Sequence, residues 1–190
     1  YTSREITSII AEVMFPAYSK IQDDVQALRE AFYHTLIINS VIVFPMAIGG
    51  IVVAPLFVRG FLGAQWVDSI PVFQVISVFG MLTAFTARGD VVQKAIGRPD
   101  FRFKMRLLWL VATAILIVPL TTRFGITGTA LAVVSAYLLT EVPATIYFTV
   151  SHLETTYTRY FRTISYPLAA SLAMGLVTVV ARDRLTVLSP

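Results

Sequence analysis

Charged side chains occur at wide intervals in this sequence and leave five uncharged stretches, 35–58, 69–87, 107–122, 124–140 and 163–181, of 24, 19, 16, 17 and 19 residues. A helix rises about 1.5 Å per residue and needs about 20 predominantly apolar residues to cross bilayer hydrocarbon. Each stretch therefore predicts a membrane-crossing helix. Before them, residues 1–15 read as a truncated helix closed by Pro16. Residues 17–34 are polar but periodic: Ile21, Val25, Leu28 and Phe32 line up as one apolar stripe, and Lys20, Asp23, Asp24, Arg29 and Glu30 occupy the other face. Such a segment fits either a helix lying in the membrane interface or an extension of the next span. The expected helices are 1–15, 17–34 leading into 36–58, 69–95, 104–122, 125–151 and 163–182. Pro45 and Pro55, with Gly49 and Gly50, predict bends in the 36–58 span.

Composition turns this pattern into a fold class. The 190 residues are 56% hydrophobic and only 14% charged, whereas a soluble domain carries about a quarter of its residues as Asp, Glu, Lys and Arg. The expected fold is all-α, a polytopic transmembrane helix bundle, and a soluble enzyme is excluded. The absence of cysteine removes disulfides, thiolate catalysis and thiolate-bound zinc. The 15 basic residues collect in connectors between apolar spans, so the basic balance is a signal of membrane orientation and not of nucleic-acid binding. Connectors 16–35, 88–106 and 152–163 carry ten of them, and the opposite-side segments carry four: Arg59, Arg123, Arg182 and Arg184. This excess predicts that the long connectors are cytoplasmic. The chain starts within a helix without Met and stops at Pro190 just after a span, so it reads as part of a longer polytopic protein.

Candidate chemistry lies in the ionisable and polar residues of the spans, because a charge in hydrocarbon costs a few kcal/mol or more. Glu141 falls inside the 125–151 span, Arg88 lies about one turn inside its polar boundary, and Glu12 shares a face of the first helix with Glu5. Each is either paired in a buried seam or lines a wet pathway for a polar substrate. Asn39 and Gln74 are further candidates for such a lining. Arg98, Arg102, Lys104 and Arg106 either contact lipid phosphates on the cytoplasmic side or only mark orientation. Gly128, Ala132 and Ala136, like Ser171 and Gly175, predict close helix packing. His34 and His152 have no companion at ligand spacing, so neither a metal nor a cofactor is expected. No phosphate-binding glycine loop or nucleophile motif occurs, and no enzymatic activity is expected.

The order VMFPAYSKIQDD, LREAFYHT, FPMAIGGIVVAPLFVRGFLGAQW, QKAIGRPDFRFK and RFGITGTALAVV resembles the second half of Wzx-type polysaccharide flippases. The likeness is to the colanic-acid-exporter branch of the multidrug/oligosaccharidyl-lipid/polysaccharide superfamily. It rests on Phe15-Pro16, Pro45, Gly49, Pro55, Gly63, Trp66, Gly97-Arg98-Pro99, Gly125 and Gly128, and it thins after residue 155. The resemblance implies one lobe, about five full spans plus the truncated first helix, of a larger two-lobed transporter in the bacterial inner membrane. Its substrate would be an undecaprenyl-diphosphate-linked oligosaccharide, moved across the membrane by alternating access for polysaccharide export. Its partners would be membrane lipids, that lipid-linked oligosaccharide, and a polysaccharide polymerase and glycosyltransferases; nucleic acid is not expected. Arg4-Glu5 depart from the family's apolar pattern, and no family substrate residue carries over to this chain. Two alternatives share the architecture: a drug or small-ion antiporter of the same superfamily, and a non-transporting scaffold of a polysaccharide assembly complex.

Overall fold

The computed structural model of the chain describes residues 21, 24–95 and 99–188. Four helices make up almost all of that, and no strand occurs among the described residues. Helix α1 (Val25–Phe57) starts at Asp24, whose carboxylate accepts the Ala27 amide at 3.0 Å, satisfying one of the orphan donors of the first turn. It continues for 33 residues, so the amphipathic stripe from Val25 onward and the following apolar span are one helix, while Ile21 lies in a turn before it and residues 17–20 lie outside the described residues. A π-helical turn (Val58–Leu62) and a 3-10 turn (Ala64–Ser69) then reverse the chain into α2 (Ile70–Ala95). Helix α3 (Pro99–His152) is broken at Gly125, and α4 (Tyr157–Leu188) completes the set.

The break in α3 is a hairpin. Gly125 takes φ 57 and ψ −139, a conformation closed to residues with a Cβ, and the two limbs fold back on each other. Phe101 stacks on Phe148 with centroids 5.0 Å apart, Trp109 meets Tyr137 edge-on at 5.7 Å, and the Thr121 and Thr129 hydroxyls bond at 2.8 Å. The indole N–H of Trp109 donates to the Val133 carbonyl at 3.3 Å. Near the turn the limbs approach so closely that a Cβ on Gly128 would fall on the Leu120 carbonyl oxygen. Ala132 and Ala136, one and two turns on, are fully buried, so the small-residue stripe is where the limbs meet.

Helix α1 is central, packed between α2 and α4, and α2 packs on the α3 hairpin. At the end where α1 starts, Leu28, Phe32, Tyr33 and Leu36 form the core with Ile146 and Val150 of α3, Leu153 of the turn that follows it, and Tyr160 and Ile164 of α4. Arg29 fixes the α3–α4 connection there by donating to the carbonyls of Leu153 (3.4 Å) and Glu154 (3.0 Å), and the Tyr33 hydroxyl bonds Thr155 at 2.8 Å. The ends of α2 and α3 lie at this same basic end; Gly63, Gly125 and the end of α4 lie at the other.

Backbone groups in lipid must find partners within the protein, and the prolines test this. Pro55 has no amide to give the Ile51 carbonyl, its usual acceptor one turn earlier. The Gln74 side chain of α2 supplies the missing donor, at 3.2 Å. Gln74→Leu is therefore expected to lower stability by about 1–2 kcal/mol and to loosen α1 from α2 beside the bend, read as earlier thermal unfolding of the detergent-solubilised protein.

Four helical segments are long and apolar enough to cross a membrane: Val25–Leu62, Ala64–Ala84, Asp100–His152 and Tyr157–Ala181. The third contains the hairpin, whose limbs, 99–124 and 126–152, each span about 39 Å at 1.5 Å per residue and each exceed the roughly 30 Å hydrocarbon core. The outward faces are apolar: Ile115, Val118, Ile126, Leu139, Leu176 and Val177 are exposed. So continuous an apolar surface requires lipid, not water, around it. The chain is a multi-pass membrane protein.

Candidate functional site

Polar groups within the apolar bundle gather on one seam, where α2 meets the α3 hairpin and α1. Arg106, on the first limb, reaches Glu141 on the second, Nε to Oε1 3.5 Å. The hairpin makes this contact: the two residues lie at similar distances from the turn, about 28 Å and 24 Å of helix at 1.5 Å per residue. The Glu141 side chain is 4% exposed and that of Arg106 39%, so the carboxylate is enclosed while the arginine side chain is partly exposed. That guanidinium also lies over the Trp109 ring, 5.4 Å from its centroid, a cation–π contact that holds it flat.

The seam continues along α2. Trp109 and Phe79 stack at 6.5 Å, and Phe79 meets Tyr137 edge-on at 5.2 Å. The Tyr137 hydroxyl bonds the buried Thr86 hydroxyl at 2.5 Å. Asn39, 2% exposed on α1, donates its amide to the Ala84 carbonyl at 2.8 Å. A Cβ on Gly89 would run into Thr145 of the second limb, so α2 and α3 nearly touch at this level. The seam is thus polar, aromatic and tightly packed, with the Arg106–Glu141 ion pair at its partly exposed side.

The residues singled out from sequence take different places. Glu141 and Arg106 come together, although one was read as a span residue and the other as part of a cytoplasmic cluster. Asn39 and Gln74 each bridge α1 and α2. Lys104 is exposed and Arg102 half-buried on the first limb. Glu12, Arg98 and the Arg88 side chain lie outside the described residues, and so does the Arg4-Glu5 pair. His152 stacks on Phe148 with centroids 3.9 Å apart, and among the described residues no cluster of His, Asp and Glu could hold a metal. Sequence reading missed Trp109, Phe79, Thr86 and Tyr137 as a group. It also missed the Arg106–Glu141 pairing, although a tight turn near Gly125 carries the signal: it sets residues opposite one another when they are equally far from it.

Residues 1–71 match the sequence profile of the family described as polysaccharide biosynthesis protein. Over 184 residues, 91% of the chain, it is 32% identical to lipopolysaccharide biosynthesis protein WzxC of Escherichia coli (strain K12), of which the match covers 37%. Over 180 residues, again 91% of the chain, it is 24% identical to teichuronic acid biosynthesis protein TuaB of Bacillus subtilis (strain 168), covering 36% of that protein. A 78-residue stretch, 41% of the chain, is 38% identical to a membrane protein in cps region of Klebsiella pneumoniae, covering 16% of it. No solved structure matches. The chain spans little more than a third of the length of WzxC and TuaB. Across most of its own length it is homologous to polysaccharide biosynthesis proteins.

Proposed function

We propose, from this kinship with lipopolysaccharide and teichuronic acid biosynthesis proteins, that the chain is one lobe of a bacterial inner-membrane flippase. Its substrate is an undecaprenyl-diphosphate-linked oligosaccharide, carried from the cytoplasmic to the outer leaflet by alternating access. The basic end faces the cytoplasm, in keeping with the excess of Lys and Arg there. The chain acts as a transporter and not as an enzyme, and works beside the glycosyltransferases and polymerase that make and extend the polymer.

The observation that carries this reading is the Arg106–Glu141 pair. Charges within apolar helices are costly and mark polar pathways. Here an enclosed carboxylate pairs with a partly exposed guanidinium, and a planar guanidinium suits bidentate contact with phosphate oxygens. Pro45 and Pro55 lie inside a helix that packs on both α2 and α4, and prolines so placed give the lobe points about which to rock.

The test replaces both charges together. In a strain lacking the native gene, R106M/E141L in the intact protein is expected to insert at wild-type level, since exchanging both partners for apolar residues strands neither. Surface polymer is expected to fall at least tenfold while lipid-linked oligosaccharide accumulates inside. Normal export at normal protein level would reduce the pair to a packing contact and remove the basis of this reading.

A further inference from the structure

A second feature lies on the opposite side of α1, away from the polar seam. Between α1 and α4 runs an open groove of about 540 Å³, lined by Ile37, Val41, Tyr166, Pro167 and Ala170 and flanked at the basic end by Arg159 and Arg162. It continues past Pro45 and Ser171 to Met174 through a further space of about 140 Å³. Packing explains the groove. The two helices touch below it through Phe32 and Tyr160, whose rings stack at 6.1 Å, and above it where a Cβ on Gly175 would meet Ile48 Cγ2 at 2.6 Å. Between these contacts lie Pro45 and Pro167, each inside its helix and each without the amide that would continue the hydrogen-bond ladder.

We infer that this groove binds one anionic phospholipid of the leaflet at the basic end, with an acyl chain along the α1–α4 seam and its phosphate at Arg159 and Arg162. The dimensions fit. Arg162 to Met174 is about 18 Å of helix at 1.5 Å per residue, close to the roughly 15 Å depth of one leaflet's hydrocarbon. Both arginines are exposed, and Arg159 is held at the mouth by stacking over the Tyr33 ring, 4.6 Å from its centroid. The charge pattern also fits: the groove wall is mostly apolar, with Thr163, Tyr166 and Ser171 as its uncharged polar members, and among the described residues its charged lining groups are these two cations at one end. A second protein helix would have to bury both cations against its own backbone, whereas a phosphate pairs with them directly.

The test counts lipids held by the intact, purified protein in native mass spectrometry after exchange into micelles doped with phosphatidylglycerol or phosphatidylcholine. Wild type is expected to retain phosphatidylglycerol in preference. R159Q/R162Q is expected to weaken that retention roughly 30-fold, about fivefold per cation near an anionic headgroup. A170W fills the groove without changing charge and is expected to displace the lipid as well, while R123Q, at the far end, leaves retention unchanged. The inference is overturned if wild type holds both lipids equally, or if either groove variant keeps its phosphatidylglycerol. It is also overturned if a cysteine placed at Val41 crosslinks to another segment of the protein, which would show a helix in the groove. None of these readouts depends on transport, so this assignment and the flippase reading can fail separately.

Discussion

Gly128→Val is expected to prevent the α3 hairpin from closing and to remove most folded protein from the membrane. Even the Cβ alone would coincide with the Leu120 carbonyl oxygen. That atom is backbone in a helical turn and cannot swing aside as a side chain could. Relief requires the limbs to separate, and separation breaks several contacts together. It parts the Thr121–Thr129 hydroxyl bond, lifts Trp109 from the Val133 carbonyl and exposes Ala132 and Ala136. Without a hydrophobic drive between helices in lipid, close packing and interhelical bonds hold them together. The loss is expected to exceed about 4 kcal/mol, in the range reached only by severe overpacking and similar lesions. Protease sensitivity at 123–125 in isolated membranes, together with the yield of monodisperse protein in detergent, measures it. Wild-type yield and protection for G128V would mean that the limbs are not apposed. Gly175→Val, whose Cβ meets only the side chains of Ile48 and Val52 and no backbone, should be much milder.

The two single replacements in the ion pair are expected to differ sharply in stability. Arg106→Ala takes a cation away from Glu141, whose side chain is 4% exposed, in low-dielectric surroundings. Breaking a buried pair in this way costs about 3 kcal/mol. Glu141→Ala leaves Arg106 instead, whose side chain is 39% exposed and still lies over Trp109. A long, half-exposed guanidinium can reach toward the interface, so the cost falls to about 1 kcal/mol. Thermal unfolding in detergent should therefore rank wild type above E141A and E141A above R106A, with E141A inserting normally but exporting poorly. Equal destabilisation would mean that both groups are solvated alike, contrary to their exposures.

The hairpin and the pair also separate what is legible in one dimension from what is not. Apolar runs of membrane-crossing length, the basic bias of alternate connectors and the tight turn at 123–125 could all be read directly, because each follows from one residue's neighbours along the chain and from the solvent it must face. Gly128, Ala132 and Ala136 announced a contact stripe for the same reason. The 3.6-residue period puts them on one face whatever that face touches.

Partnership was not legible in that way. Gln74 was readable as a polar group inside a span. That it completes the carbonyl deprived by Pro55 depends on the height at which α2 passes α1. Arg106 and Glu141 looked like members of separate sets until the fold-back placed them opposite each other. The groove of Ile37, Val41 and Ala170 has no sequence signature, since a residue facing lipid and a residue facing a cleft are equally apolar. Hydropathy and charge thus determined, from sequence, which segments are long and apolar enough to cross a membrane and the all-α class. Which side chains meet was decided by helix apposition alone. In lipid, apolar faces have little preference for one neighbour over another, so close approach of backbones and the satisfaction of a few polar groups choose the arrangement.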